Sequence, residues 1–253
     1  MKEKVALELE KEPLLKKARW YNSKNRTYKA CVIYHKVLPK LTGEPYQEAL
    51  EELAYLYFDR LDFDLAAICF EHLCLVKPTV SQYVLKLSNC YFQLQNFYKA
   101  KSVLHRFDLW KEEEDEERLL ALSQCELALN RKLKAVEVLQ VLMKRYCNPV
   151  YYLLLAELFE SMELYSLALE TCNRGLKRDS YFEDLLVVKA RLLLEQNDFK
   201  KAKQIYFKMI KNQMYLGEAH FDLEIMIEKR GNLPELLEIH QYFDDINIDD
   251  LLE

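Results

Sequence analysis

The residues of this 253-residue chain that could bind a metal or act in catalysis are few and widely separated. Its five histidines belong to no H-E-x-x-H motif, and none lies beside a cysteine pair at zinc-ligand spacing. Because a metal site requires several ligands at defined spacing, the sequence predicts no metal site. The histidines are His35, His72, His105, His220 and His240.

Motifs for a catalytic nucleophile or a phosphate-binding loop are absent from the sequence as well. The four glycines form neither a G-x-G-x-x-G nor a G-K-[ST] loop, in which glycine lets the backbone approach a phosphate. The chain also has no G-x-S-x-G nucleophile elbow. We therefore predict that the protein is not an enzyme and holds no cofactor.

The seven cysteines are odd in number, form no C-x-x-C motif and fall within segments that have a helical pattern. This usage indicates free thiols in a reducing compartment, buried as small apolar side chains. The cysteines are Cys31, Cys69, Cys74, Cys90, Cys125, Cys147 and Cys172.

Charge and hydropathy limit the kinds of partner. The net charge of −5 and the pI near 5.7 argue against nucleic acid, which requires a basic surface. The longest apolar run, Val150 to Ala156, ends at Glu157 and is much shorter than the roughly 20 residues of a membrane span. The charged start, Met1 to Lys4, predicts no secretory signal. We expect a cytoplasmic protein that has no membrane span and binds other proteins.

A helical repeat organises the chain, and it is clearest between Leu50 and Pro78. The small residue Ala66 permits two helices to approach closely, and Tyr57 and Phe70 fill the space beside it. Pro78 stands where the second helix has to end, because proline cannot donate to the helical ladder. This spacing resembles a tetratricopeptide (TPR) unit, a helix–turn–helix of about 34 residues.

The small position recurs along the whole chain with separations of 36, 34, 35, 33, 34 and 34 residues. One such unit cannot bury its own apolar face, so several copies must stack. The sequence predicts an all-α, TPR-type α-solenoid, a right-handed superhelix of about seven helix–turn–helix repeats. The recurring positions are Ala30, Ala66, Ala100, Ala135, Ala168, Ala202 and Leu236.

We predict a single solenoid domain over residues 1–253. Its parts are an irregular first repeat 12–42, regular repeats 47–78, 81–110, 116–147, 149–180 and 183–214, a capping repeat 217–243 and an acidic tail 244–253.

Two charged segments carry more local predictions. Residues 1–11 are expected to form a short charged helix, with Pro13 in the first turn of the next helix, where its missing N–H does no harm. The acidic run Glu112–Glu117 is expected to be a solvated linker that caps the following helix. The alternative for this run is a patch that binds a basic partner.

The partner-binding surface of a TPR solenoid is the inner, concave face formed by the first helix of each pair. Here the early part of that face is apolar and aromatic, and the later part adds polar and charged residues. Exposed apolar side chains in a row favour a protein interface, while the alternative is that some of them pack against the neighbouring helix. The predicted partner-binding residues are Tyr55, Phe58, Leu85, Asn89, Phe92, Leu120, Gln124, Leu127, Leu153, Glu157 and Arg191.

The carboxylate clamp by which some TPR proteins bind chaperone C-termini is not predicted. Of the residues that such a clamp requires, only Asn89 is present, and Leu85 stands where a lysine is needed. Without lysines, little is left to hold a terminal carboxylate.

Three segments also resemble the second subunit of the endoplasmic-reticulum membrane protein complex. Lys16 to Asn25 is a basic, Trp-containing helix with an Asn-Ser-x-Asn break, and the other segments are Asp64–Leu73 and Leu155–Phe159. The resemblance implies a non-catalytic scaffold on the cytosolic face of the endoplasmic reticulum, which binds cytosolic parts of the membrane-embedded subunits of an insertase. The alternatives are a TPR subunit of another assembly, such as the anaphase-promoting complex, or a general peptide-binding adaptor.

Overall fold

The computed structural model describes residues 2–105, 112–212, 217–231 and 233–244. Within these residues the chain forms fourteen α-helices and no β-strand. The backbone packs into two compact units, which we call the N-terminal unit (Met1–Ala135) and the C-terminal unit (Val136–Glu253). The prediction of one domain over the whole chain stays a prediction.

The helices form seven consecutive pairs, which confirms the predicted all-α, TPR-type fold. A short 3₁₀ turn, Leu38–Lys40, follows the second helix. The helices are α1 Lys2–Ser23, α2 Thr27–Val37, α3 Gly43–Asp59, α4 Phe63–Val76, α5 Ser81–Gln93, α6 Phe97–Leu104, α7 Glu112–Ala128, α8 Lys132–Arg145, α9 Pro149–Glu160, α10 Tyr165–Leu176, α11 Glu183–Glu195, α12 Phe199–Lys211, α13 Gly217–Arg230 and α14 Pro234–Asp244.

The recurring small position lies at the core of every pair. All seven of these residues, from Ala30 to Leu236, have no exposed surface. Around Ala66, Tyr57 and Phe70 are buried as predicted. At the six alanine positions a methyl group lets the two helices of a pair approach, and beside Ala66 the aromatic rings fill the remaining space.

The turn inside each of the first six pairs has the same hydrogen-bonded form. Between α3 and α4, the Leu61 N–H donates to the Phe58 carbonyl at 3.0 Å, and the Asp62 N–H donates to the Tyr57 carbonyl at 2.9 Å. This is a Schellman motif, which requires a residue in the left-handed region. Six turns place such a residue, with φ between 56° and 64°, at Asn25, Leu61, Gln95, Asn130, Glu163 and Asn197.

The N-terminal helix differs from its prediction. Helix α1 is continuous over Lys2–Ser23, so Pro13 lies inside it and not in the first turn of a second helix. Leu15 and Ala18, which follow the proline, are buried, and α1 packs along α2. Packing of this helix face compensates for the hydrogen bond that proline removes.

The acidic run also differs from its prediction. Helix α7 begins at Glu112, so the run forms the first turns of a helix and is not a linker. Asp115 is buried and pairs with Arg118 one turn later. Carboxylates favour a helix N-terminus because they interact with its partial positive charge, and this lets the helix extend through the run. The predicted tail beyond Asp244 lies outside the described residues.

Burial was predicted for the cysteine side chains, and one of the seven is clearly exposed. Cys31, Cys69, Cys90, Cys125 and Cys172 are buried, and Cys74 is partly buried. Burial raises the pKa of the Cys69 and Cys125 thiols to about 11 and of the Cys90 and Cys172 thiols to about 12, so these stay protonated at neutral pH. Cys147 is exposed, because it lies in the loop between α8 and α9.

Candidate partner-binding site on the inner helix faces

A groove of about 730 Å³ lies on the N-terminal unit, lined by α5 and α7. We call it the α5–α7 groove. Leu85, Asn89 and Phe92 reach it from α5 because their spacing puts them on one helix face. Gln124 and Leu127 reach it from α7 in the same way. The structure thus brings together five of the eleven predicted partner-binding residues.

The side chains of this groove combine apolar and amide surface. Leu127 is 40% exposed, Asn89 and Gln124 are exposed, and Leu85 and Phe92 are half-buried. The Phe92 ring rests edge-on against Phe97 at a centroid distance of 5.1 Å. Amide side chains can hydrogen-bond a peptide backbone, and the apolar side chains can bury a partner's side chains.

A cationic side chain links this groove to the inner face of α3. Lys86 lines the α5–α7 groove, and its Nζ lies 4.5 Å from the ring centroid of Phe58 and 5.9 Å from that of Tyr55. Both rings also stand edge-on to the fully buried Phe70, at 5.5 Å for Tyr55 and 6.3 Å for Phe58. Tyr55 and Phe58 therefore pack partly into the core and are partly exposed.

A second, acidic groove of about 400 Å³ lies next to Tyr55 in the same unit. Four carboxylates line it, together with Asn22, Tyr55 and Leu56. The four are Glu48, Glu51, Glu52 and Asp59. Tyr55 lines the acidic groove, and its ring is contacted by Lys86, which lines the α5–α7 groove. The surface of the inner face therefore changes from acidic to apolar between Tyr55 and Lys86.

Part of the acidic charge is held in place by neighbouring side chains. Arg19 reaches Glu52 at 2.8 Å and Glu48 at 3.3 Å. The Tyr34 hydroxyl donates to Glu52 at 2.7 Å. Burial and the hydrogen bond to Glu52 together raise the pKa of Tyr34, which therefore remains a neutral donor. Arg19 pairs with two of the four carboxylates that line this groove, which leaves the groove with an excess of negative charge.

The remaining predicted residues are not gathered into these grooves. Leu120 is half-buried on α7, and it is not among the described lining residues of the larger groove. In the C-terminal unit, Leu153 is half-buried and Glu157 is exposed, both on α9. The role predicted for these residues in partner binding stays a prediction.

Arg191 has a structural role within the C-terminal unit. Its guanidinium donates twice to Glu160, at 2.9 and 3.0 Å, and once to Asp222, at 2.8 Å. Burial opposes the charge, but the hydrogen bonds to Glu160 and the attraction of both carboxylates raise the pKa of Arg191. The three residues lie on α9, α11 and α13, so this network joins the first helices of three successive pairs.

A cluster of two histidines and a glutamate, which the sequence alone did not indicate, lies in the last helix pair. His220 and Glu224 share one face of α13, and His240 of α14 lies beside them. The i,i+4 spacing of His220 and Glu224 is visible in the sequence. The third member is not, because only the packing of α14 on α13 brings it close.

Comparisons with known proteins agree with the fold. No protein-family model matches the chain. It aligns over 84% of its length with the Naa15/Naa10 structure bound to HypK-THB, with a TM-score of 0.62, 16% identity and coverage of 36% of that chain. It also resembles the C-terminal part of a TPR repeat-containing protein from Cytophaga hutchinsonii, with a TM-score of 0.65, 15% identity and coverage of 94% and 99% of the two chains. The chain is thus a TPR-type solenoid.

One curated protein provides a likeness in sequence. The chain is 27% identical over 206 residues to the N-terminal acetyltransferase B complex auxiliary subunit NAA25 of Arabidopsis thaliana. The alignment covers 76% of this chain but only 18% of that relative's length. The resemblance to the membrane-insertase subunit receives no support from these comparisons. Among the described residues, no helix combines the length and hydropathy of a membrane span.

Proposed function

We propose that this chain is a non-catalytic scaffold subunit of a multiprotein complex, and that its N-terminal unit holds a segment of a protein partner in the α5–α7 groove. The observation that carries the proposal is the groove itself. It presents exposed Leu127 and half-buried Leu85 and Phe92 beside the amides of Asn89 and Gln124. Apolar anchors rimmed by hydrogen-bonding groups are typical of protein interfaces.

The neighbouring acidic groove indicates the charge that the partner segment carries at one end. A segment that continues from the α5–α7 groove past Tyr55 would meet Glu48, Glu51 and Asp59. Lysine or arginine side chains at that end would be attracted and oriented by these carboxylates. The expected partner segment therefore has apolar residues at one end and basic residues at the other.

The test is a charge placed in the groove. Leu127→Asp should abolish co-purification of the native partners, because burying an unpaired carboxylate in an interface is strongly unfavourable. The matched control is Leu75→Asp, since Leu75 is 79% exposed on α4 and does not line the groove. Leu127 is a better position than Phe58, whose ring packs on the core residue Phe70.

Helicity measured by circular dichroism must be the same in both variants. Equal partner recovery from Leu127→Asp and Leu75→Asp would rule out the groove as the binding site. Loss of the partners from both variants would also count against it.

At a finer level, we infer that the complex contains an N-terminal acetyltransferase. The support is the likeness to NAA25, whose name describes it as an auxiliary subunit of such a complex. The complex purified through this chain should transfer acetyl groups from acetyl-CoA to the N-termini of peptides. A complex that retains its subunits but transfers no acetyl group would exclude this assignment.

The second candidate function is the insertase scaffold implied by the Lys16–Asn25 stretch. The observation in its favour is that Trp20, the marker residue of that stretch, is 50% exposed and thus accessible to a partner. Mass spectrometry of the purified complex separates the two candidates. Multi-span membrane proteins would favour the insertase, and soluble partners would exclude it. A tight homodimer in light scattering would instead favour a subunit like those of the anaphase-promoting complex.

A further inference from the structure

We propose that His220, Glu224 and His240 form a Zn²⁺ site that links α13 to α14. The His220 Nδ1 lies 3.7 Å from the Glu224 Oε1, and the His240 Nε2 lies 4.0 Å from the same oxygen. The three ligand atoms all lie within 4.8 Å of one another. The two imidazole rings approach to a centroid distance of 4.9 Å.

These separations are close to those that a zinc ion requires. With Zn–N and Zn–O distances of about 2.1 Å, ligand atoms in a tetrahedral site lie roughly 3.4 Å apart. Side-chain rotations that move these ligand atoms by about 1 Å would bring them to the spacing of a tetrahedral zinc site.

The ligand types specify the metal. Two imidazole nitrogens and one carboxylate match the nitrogen and oxygen ligands of zinc sites that keep a fourth position for water. The carboxylate also supplies a negative charge, which attracts a divalent cation. The set lacks the several oxygen ligands that Ca²⁺ and Mg²⁺ require.

The surroundings allow a metal ion to enter. The side chains of His220 and His240 are 32% and 26% exposed, and that of Glu224 is 50% exposed. A site that is open on one side can exchange its ion with solvent. Since α13 supplies two ligands and α14 supplies one, zinc would hold the last helix pair together and stabilise it.

The test uses the full chain in a Cys147→Ser background, which removes the exposed thiol as a competing zinc ligand. Zn²⁺ is titrated against the protein with a chromophoric zinc indicator as competitor. His220→Asn and His240→Asn should each weaken zinc binding by at least about tenfold, because even loss of an outer-sphere partner costs about that much. The matched control is His72→Asn, because His72 is an exposed histidine on α4, outside the proposed site. This variant should bind zinc as tightly as the parent protein.

A second measurement, the thermal midpoint of unfolding, distinguishes the loss of a zinc ligand from misfolding of the variant. Zinc should raise the thermal midpoint of the parent and of His72→Asn, and it should leave that of His240→Asn unchanged. If His240→Asn loses helicity without metal, Glu224→Gln replaces it, because this side chain is half exposed. Zinc affinities that are equal in the ligand variants and the control would overturn the proposal, as would the absence of zinc binding by the parent.

Discussion

Single residues set the local geometry of this protein, and the turn residues show it best. Six turns require a left-handed conformation, and three of them use asparagine, which adopts it readily. The other three use leucine, glutamine and glutamate, for which the same conformation is strained by about 1 kcal/mol. Leu61 is the clearest case, because it has a φ of 64° and is 70% exposed.

Leu61→Asn is expected to stabilise the protein. Asparagine relieves the left-handed strain, and little buried apolar surface is lost because the leucine side chain faces solvent. We expect the free energy of unfolding to rise by about 0.5–1 kcal/mol. Urea denaturation followed by circular dichroism measures the change. The control Leu75→Asn, at an exposed helical position, should give no gain, and a less stable Leu61→Asn would disprove the argument.

Helices are joined into larger structures by side chains that bridge successive pairs. Arg191 of α11 contacts Glu160 of α9 and Asp222 of α13. The exposed fractions of these three side chains are 25%, 21% and 10%, so water screens the interaction only in part. Removing the cation would take from both carboxylates the partner that they share.

Arg191→Met is therefore expected to lower the free energy of unfolding by about 2 kcal/mol. The methionine keeps much of the apolar stem, so the loss reports mainly on charge and hydrogen bonding. Arg174→Met changes an exposed arginine of α10 and should cost less than about 0.5 kcal/mol. Equal stabilities of the two variants would show that the network contributes nothing.

Within each of the two units, the described helices contact mainly their neighbours along the chain. Many of the described helices pack mainly against the next one or two along the chain, as α3 does against α4 and α9 against α10 and α11. In such repeat structures the stability is approximately a sum of contributions from neighbouring repeats. A local change should therefore have local effects.

Hydrogen exchange of Arg191→Met should show this locality. Exchange is expected to accelerate in α9, α11 and α13 and in their neighbours, while protection in α3, α4 and α5 stays as in the parent. Mass spectrometry of peptic fragments provides the measurement. A uniform acceleration in all helices would instead indicate that the chain unfolds as one cooperative block.

The fold class and the repeat can be predicted from the amino-acid sequence alone. Small residues about 34 positions apart, with aromatic and apolar residues around them, can only be buried by stacked helix pairs, and the buried Ala66, Tyr57 and Phe70 confirm this. The periodicity of each helix also indicated which face points inward. These features are local, because they depend on the helical period and on side-chain size.

The contacts of individual side chains become visible only in the folded protein. Of the residues predicted for one inner face, the tertiary structure placed Leu85, Phe92 and Leu127 in the lining of one groove and left Leu120 out of that lining. It also paired Arg191 with carboxylates of two other helices and brought His240 to Glu224. The physical reason is the same in each case. Contacts between residues distant in sequence depend on helix packing, and the spacing of residues within one helix does not encode it.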